Sequence, residues 1–212
     1  MVNFEEIAQS LVAGQASKVK EFVQLAVDQG TSAQTILDKG LIPGMDIVGR
    51  KFKANEIYVP EVLVAARAMH AGMDILKPLF AKTGIRHIGK LIIGTVKGDL
   101  HDIGKNLVSI MMEGAGFEVI DLGVDVTSEK FVAAVKENNP QIIGMSALLT
   151  TTMLSMKSTI EALESAKLRN RVKVIIGGAP VTQRYADEID ADGYEDDASS
   201  AVEKTKELLE IV

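Results

Sequence analysis

The chain has 212 residues, a formal net charge of −6 and no cysteine. The length suffices for one large domain or two small ones, each burying a core of its own. Without cysteine, disulfides, thiolate zinc sites, iron–sulfur clusters and thiol nucleophiles are excluded. The negative charge, without clustered Lys and Arg, disfavours binding to nucleic acid or to a membrane surface. No signal-peptide pattern opens the chain and no apolar stretch is long enough to span a bilayer, so we expect a cytoplasmic protein.

Residues 1–86 have the periodicity of helices. Apolar residues such as Ile7 and Leu11 recur at helical spacing, and glycines fall between these segments. The last helix of this half is predicted to begin at Pro60, because proline is favoured at the first helical position. No segment alternates like a strand. The first domain, 1–86, is therefore predicted to be a four-helix bundle.

In residues 87–212, short apolar runs alternate with amphipathic segments. The apolar runs are 91–96, 119–122, 142–146 and 172–176, and the helical patterns are 103–115, 127–137, 151–168, 181–189 and 198–211. This alternation predicts a doubly wound, Rossmann-like α/β domain with a five-stranded parallel sheet, linked to the bundle through residues 81–87. Ligands of such sheets bind at the carboxyl ends of the strands, so we expect the functional residues in the loops that follow the runs.

A loop flanked by glycines follows the first predicted strand. Residues 98–104 read Gly-Asp-Leu-His-Asp-Ile-Gly. A phosphate-binding P-loop needs four residues between its glycines, followed by Lys and then Ser or Thr. Here five residues separate the glycines, and the lysine that follows is succeeded by Asn106. The spacing excludes a P-loop.

Two other interpretations of this loop remain open from its residues alone. His101 could form a hydrolytic metal site with Asp99 and Asp102, although His70 and His87, the other histidines, lie outside the predicted loops. Alternatively, His101 is an ordinary loop histidine, and Asp102 caps the helix that follows.

The loops after the third and fourth apolar runs contain two more short motifs, which form a pattern together with the loop 98–104. Ser146-Ala147-Leu148 ends the third apolar run, and Gly177-Gly178 ends the fourth. Between Gly104 and Ser146 lie 41 residues, and between Leu148 and Gly177 lie 28. The elements Asp-x-His-x-x-Gly, Ser-x-Leu and Gly-Gly, in this order and spacing, closely resemble the signature of the base-off, His-on cobalamin-binding domain.

The resemblance extends over essentially the whole chain. The helical half, including 48–52 and 58–60, resembles the helical cap of cobalamin-dependent methionine synthase. As a two-domain chain, the protein is most similar to the corrinoid proteins of methanol, methylamine and methoxy-compound methyltransferase systems. The resemblance implies a cobalamin-type (corrinoid) cofactor containing cobalt.

In that family a histidine replaces the lower base of the cofactor. His101 matches this histidine, so the resemblance implies that it is the cobalt ligand. Asp99 matches the carboxylate that accepts the other ring N–H and so fixes the ring. Thr152 stands where the methionine synthase branch has a serine that continues the contact to this carboxylate, and its β-branched side chain is stiffer at χ1.

The resemblance implies further contacts with the corrin ring and its nucleotide tail. The remaining implied cofactor-binding residues are Gly98, Leu100, Asp102, Ile103, Gly104, Ser146, Leu148, Thr150, Gly177, Gly178 and Ala198. Gly177 and Gly178 are expected to leave room for the inserted base. Phe52 and Val59 match two apolar cap residues that cover the upper cobalt face, although Phe52 is equally well interpreted as bundle core.

The function implied by the resemblance is methyl carriage in one-carbon metabolism. Co(I) accepts a methyl group on a substrate-specific corrinoid methyltransferase, and methyl-Co(III) delivers it through a second methyltransferase to an acceptor such as tetrahydrofolate or a thiol. A reductive activase is the third implied partner. The chain has no evident catalytic base or substrate barrel, so we expect a non-catalytic subunit of a methyltransferase system. A cobalamin-dependent sensor or regulator and the subunit of an adenosylcobalamin mutase are the alternatives.

Overall fold

The computed structural model describes residues 3–211 and, for 81–83, the backbone alone. These residues divide into two compact units. The first comprises the residues up to 87 together with 114–116, and the second comprises 88–113 and the residues from 117 onward. Within the described part of the chain, no helix combines the length and apolar character needed to cross a bilayer.

The first unit is helical throughout. Its helices are α1 (Phe4–Val12), α2 (Ala16–Asp28), α3 (Ala33–Ile36), α4 (Ile42–Lys53) and α5 (Val59–Thr83). A π-helical turn, Leu37–Leu41, joins α3 to α4, so that the two form one continuous helical segment. Helix α1 begins after Asn3, whose side chain accepts the N–H groups of Glu5 and Glu6. The four helical segments agree with the predicted bundle.

The helices of this unit enclose an aliphatic core. The side chains at its centre are fully buried and include Ile7, Leu11, Val19, Val23, Ile36, Leu41, Val48, Val62 and Leu76. Helix α2 packs on α5, and α1 packs on both α2 and α4. At Gly44 in α4, a Cβ would lie 3.2 Å from both the Cα and the carbonyl oxygen of Ala8. A small residue at this position therefore allows the close approach of α4 to α1.

The second unit contains a parallel sheet. Its strands are β1 (Lys90–Thr95), β2 (Glu118–Asp121), β3 (Ile142–Ser146), β4 (Lys173–Gly177) and β5 (Gly193–Tyr194). The strand order is β2-β1-β3-β4-β5, and every neighbouring pair is parallel. Strand β5 has only two residues, and it is supported by Asp192, whose N–H donates to the Val174 carbonyl at 2.8 Å.

Helices cover the sheet. They are α6 (Ile103–Gly114), α7 (Ser128–Asn138), α8 (Leu154–Ser165), α9 (Gln183–Glu188) and α10 (Ala198–Leu208). In β1, Ile92 belongs to a buried cluster with Phe131 of α7 and Met156 of α8. The adjacent residues Leu91 and Ile93 are also buried but point to the opposite face, because side chains alternate along a strand. Both faces of the sheet are therefore buried, and the predicted fold class is confirmed.

Two predicted boundaries were wrong. The link was placed at 81–87, but α5 continues to Thr83 and ends at Gly84, whose φ of +77° is the left-handed conformation that glycine adopts at helix ends. The third helical pattern of the α/β domain was placed at 151–168, but α8 spans only Leu154–Ser165. The residues before Leu154 instead form a turn in which the side chain of Thr152 is bonded to another loop.

Candidate functional site

The loops after β1 and β3 meet at the carboxyl edge of the sheet. In a sheet of this strand order, the topological switch point lies between β1 and β3, where ligands of open α/β sheets bind. The Val96 N–H donates to the Ser146 carbonyl at 3.0 Å, and Ser155 Oγ donates to the Lys97 carbonyl at 3.1 Å. The first two signature elements are therefore joined at the expected position.

The carboxylate of Asp99 is the centre of this junction, and its side chain is fully buried. Its Oδ2 accepts hydrogen bonds from the Leu148 N–H at 2.7 Å, the Leu149 N–H at 3.3 Å and Thr152 Oγ1 at 2.7 Å. Its Oδ1 accepts the backbone N–H of His101 at 3.1 Å and lies 2.7 Å from Nδ1 of the same residue. Thr152 thus reaches Asp99 despite its stiffer side chain.

These contacts fix the charge of Asp99 and the tautomer of His101. Burial raises the pKa of the Asp99 carboxyl, but the hydrogen bonds from Thr152, His101 and Leu148 lower it by more, so the pKa lies well below its ordinary value. Because an ionised carboxylate only accepts hydrogen bonds, the His101 Nδ1 is the donor. In a neutral ring, Nε2 then keeps its lone pair, and the half-exposed imidazole can present it to a ligand outside the protein.

The surface around His101 is open and apolar. Leu100 and Ile103 are 72% and 78% exposed, and further exposed apolar side chains on this unit are Leu148, Leu149 and Leu154. At Gly104, an added Cβ would have no neighbouring atom within 4 Å. The packing of the described chain does not require this glycine. The open space instead fits a ligand that approaches the backbone closely.

The side chains near His101 indicate which kind of metal site the loop can form. Among residues 3–211, no group of three or more His, Asp or Glu side chains is arranged to hold a metal ion. The interpretation of Asp99, His101 and Asp102 as a hydrolytic metal site is therefore wrong, since Asp99 is buried and already bonded by five donors. A lone imidazole nitrogen instead suits a metal that brings its other ligands with it, as cobalt in a corrin ring does. The residues present fit such a group.

The paired glycines lie at the end of β4. Gly177 is the last residue of the strand, and a Cβ there would lie 3.3 Å from the Glu195 carbonyl oxygen. Gly178 has φ +129°, and a Cβ at this position would overlap the carbonyl oxygen of Ala147. Backbone packing against the loop after β3 therefore requires glycine at 178, independently of any room that an inserted base needs.

The other implied contact residues are spread over the same unit. Ser146 ends β3, Thr150 is exposed in the turn before α8, and Ala198 is buried as the first residue of α10. The carboxylate of Asp102 is exposed and accepts a 3.0 Å hydrogen bond from Asn106 Nδ2. Phe52, in α4, and Val59, the first residue of α5, belong to the helical unit, and both are half-buried.

A residue in the loop after β2 also supports the loop after β1, although the sequence did not predict it. Asp125 Oδ1 accepts the Gly98 N–H at 2.7 Å, and the Asp125 N–H donates to the Asp99 carbonyl at 3.0 Å. Gly98 has φ +84° and Asp125 has φ +51°, conformations that glycine and aspartate adopt more readily than most residues. The position of Asp125 after the second apolar run could have indicated this contact. The loops that follow parallel strands all lie at the carboxyl edge of the sheet, so residues in them can meet.

A second residue that the sequence did not predict as functional is Lys105, which follows the loop 98–104. Its side chain is buried and forms an ion pair with Asp121 at the end of β2. Its Nζ also donates to Asn106 Oδ1 at 2.7 Å, and Asp121 Oδ1 accepts the Gly123 N–H at 2.8 Å. Lys105 thus connects the first turn of α6 to the loop that carries Asp125.

Comparisons with known proteins identify the family. Residues 89–203 match a model described as a B12 binding domain, and residues 4–77 match a second model with the same description. A dimethylamine corrinoid protein of Methanosarcina acetivorans is 45% identical over 213 residues, covering 99% of each chain. This chain belongs to the corrinoid proteins. The family resemblance and the corrinoid cofactor predicted from the sequence are confirmed.

Solved structures agree with this membership. The corrinoid protein matches a cobalamin-binding protein from Desulfitobacterium hafniense with a TM-score of 0.81 and 35% identity, covering 98% of both chains. It also matches a chain of the methanol:cobalamin methyltransferase complex from Methanosarcina barkeri, with a TM-score of 0.88 and 29% identity. That match covers 99% of this chain and 80% of the other.

Proposed function

We propose that this corrinoid protein carries methyl groups between partner methyltransferases, with His101 as the lower ligand of the cobalt. The observation that supports this proposal most directly is the Asp99–His101 pair. The ring is half-exposed, while the carboxylate that orients it is fully buried. When bound, the corrinoid supplies the chemistry of methyl transfer, because its cobalt alternates between Co(I) and methyl-Co(III).

The residues around His101 control how strongly Nε2 donates to a metal. The ionised Asp99 keeps the proton of the neutral ring on Nδ1, so that the lone pair of Nε2 is available to a metal. The hydroxyl of Thr152 lies 2.7 Å from Asp99 Oδ2 and 2.8 Å from the Leu149 carbonyl oxygen, but it has a single proton to donate. Rotation of the Thr152 hydroxyl can therefore move its hydrogen bond from the Asp99 carboxylate to the Leu149 carbonyl oxygen and back.

The remaining residues of the proposed site are assigned either to the corrin ring or to the nucleotide tail of the cofactor. The proposed ring contacts are Gly98, Leu100, Asp102, Ile103 and Gly104, and the proposed tail contacts are Ser146, Leu148, Thr150, Gly177, Gly178 and Ala198. The open space at Gly104 and the exposed side chains of Leu100 and Ile103 support the ring contacts, since exposed apolar surface favours burial under a ligand.

The helical domain, 1–86, is proposed to be a cap for the corrinoid-binding domain, 87–212. In this proposal Phe52 and Val59 cover the upper face of the corrin and keep water away from the methyl group. Each unit has its own buried core, which is the property that allows two domains to move relative to each other. A partner methyltransferase would then gain access when the cap moves aside.

The proposed partners are a substrate-specific corrinoid methyltransferase, a second methyltransferase and a reductive activase, and this chain is their non-catalytic subunit. The match to a chain of the methanol:cobalamin methyltransferase complex supports a methyltransferase partner. The proposed compartment is the cytoplasm, because Co(I) requires reducing conditions.

Replacement of the proposed ligand tests this function. His101→Ala, loaded with corrinoid in the full-length chain, should retain the cofactor, because the tail contacts remain. The electron paramagnetic resonance spectrum of its Co(II) state should lose the splitting caused by a coordinated nitrogen. His87→Ala is the matched control, since His87 precedes β1 and so lies toward the opposite end of the strand. An unchanged spectrum in His101→Ala would contradict the proposal.

A further inference from the structure

We infer that Thr95 is a positioning residue for His101, holding the backbone of the proposed ligand while Asp99 holds its ring. This inference rests on the proposed function of His101. Thr95 is the last residue of β1, and its side chain is fully buried. Its Oγ1 donates a hydrogen bond to the carbonyl oxygen of His101 at 2.8 Å.

The sheet itself does not need this hydroxyl. The Thr95 N–H donates to the Gly123 carbonyl at 3.0 Å, and the Thr95 carbonyl accepts the Val126 N–H at 2.9 Å. Both backbone groups are therefore bonded without the side chain. A buried hydroxyl requires a partner, and the partner here is the residue that presents the imidazole.

Thr95 completes a three-point attachment of His101. The backbone N–H of His101 donates to Asp99 Oδ1 at 3.1 Å, and its ring Nδ1 lies 2.7 Å from the same oxygen. Thr95 binds the carbonyl at the other end of the residue. The attachment joins a half-exposed ring to the buried end of a central strand, and side chains supported by strands are held more precisely than those supported by loops alone.

Loss of this hydrogen bond should release the peptide group between residues 101 and 102. His101 would then sample positions in which its ring leaves Asp99, and Nε2 would be presented less often in the orientation for binding. One neutral hydrogen bond corresponds to a change of about fivefold in such an equilibrium. The effect is on the orientation of the ligand rather than on its chemistry.

The test uses Thr95→Val, which keeps the β-branched shape and removes the hydroxyl, and Thr95→Ser, which keeps the hydroxyl. In the full-length chain loaded with corrinoid, the ratio of nitrogen-ligated to unligated Co(II) should fall about fivefold in Thr95→Val. Thr95→Ser should restore that ratio. Thr205→Val is the matched control, because Thr205 is equally buried and its Oγ1 donates to the Ala201 carbonyl at 2.7 Å, within α10.

A second measurement needs no cofactor. In the protein without corrinoid, exchange of the His101 backbone N–H with solvent should be about fivefold faster in Thr95→Val than in the wild type. If Thr95→Val lowers the melting temperature but changes neither this exchange nor the ligated fraction, Thr95 is only a packing residue and the inference is overturned. An unchanged spectrum in His101→Ala overturns the proposed function instead, and the exchange measurement still decides the role of Thr95.

Discussion

The backbone N–H of Leu148 donates to Oδ2 of Asp99 at 2.7 Å, although 49 positions of sequence separate the two residues. This hydrogen bond joins the loop after β1, which carries His101, to the loop after β3, which carries proposed tail contacts. The same carboxylate therefore orients the proposed ligand and fixes the neighbouring loop. A change at Asp99 should consequently affect both the stability of the protein and its binding of the corrinoid.

Asp99→Asn should destabilise the protein without corrinoid by about 2–4 kcal/mol, because the amide group turns one end of a buried acceptor into a donor that faces other donors. The measurement is the free energy of unfolding in urea. Asp102→Asn is the control, since its exposed carboxylate accepts a hydrogen bond from the half-buried Asn106. We expect its effect to stay within about 0.5 kcal/mol. Equal losses in both variants would contradict the structural role of Asp99.

The contribution of Asp99 to stability should depend on pH. Its pKa in the folded protein lies below that of the unfolded chain, which is about 3.9. The unfolded state therefore binds the proton more readily, so the contribution is complete above about pH 5 and is lost as the pH falls. The difference in unfolding free energy between wild type and Asp99→Asn should shrink between pH 6 and 3. A difference that is constant over this range would show that Asp99 keeps its ordinary pKa.

Thr152→Val should destabilise the protein, because it removes the hydroxyl that donates a hydrogen bond to Oδ2 of the buried Asp99. Hydrogen bonds to charged groups contribute about 1.5–3 kcal/mol, and we expect a loss of stability in that range. Thr152→Ser keeps the donor and should stay close to the wild type in urea unfolding. If Thr152→Val stays close to the wild type while Thr152→Ser destabilises the protein, the methyl group of Thr152 matters and its hydroxyl does not.

Gly104→Ala and Gly178→Ala should have opposite consequences. A Cβ at Gly104 meets open space, so the stability of the cofactor-free protein should be unchanged or slightly higher, while the affinity for corrinoid falls. A Cβ at Gly178 would overlap the Ala147 carbonyl at a φ of +129°, so Gly178→Ala should lower the melting temperature even without corrinoid. Melting curves and corrinoid titrations of both variants test this pair. Undiminished corrinoid binding by Gly104→Ala would show that the ring does not approach this position.

Phe52→Ala tests the proposed cap. Removal of the ring should expose the upper face, so that light cleaves the methylated corrinoid faster, while corrinoid affinity stays nearly intact. Phe22→Ala is the control, because Phe22 is also a half-buried phenylalanine of the helical unit. Photolysis rates of the two variants and the wild type are compared with the corrinoid bound. A rate equal to the wild type in Phe52→Ala would identify Phe52 as plain bundle core.

The amino-acid sequence by itself determined the fold class and the family. Apolar runs at strand length, separated by amphipathic segments, predict a parallel sheet, because strands buried on both faces have no polar side. The Asp-x-His-x-x-Gly element then points to the carboxyl edge of that sheet, since every such loop leaves the sheet on one side. The apolar runs and the Asp-x-His-x-x-Gly element each consist of residues that are close together in sequence, so the sequence alone shows them.

Only the tertiary structure decided which side chains support His101. Thr95 and Asp125 lie on opposite sides of the signature loop in sequence, and neither belongs to the Asp-x-His-x-x-Gly element. The contact of Asp125 with Gly98 follows from the strand order, which places β2 beside β1 and brings the loops after these strands within hydrogen-bonding distance. The contact of Thr95 with His101 depends on how the loop after β1 folds back to the end of its own strand. The reach of Thr152 to Asp99 and the overlap that requires glycine at Gly178 depend likewise on backbone positions set by strands far apart in the chain.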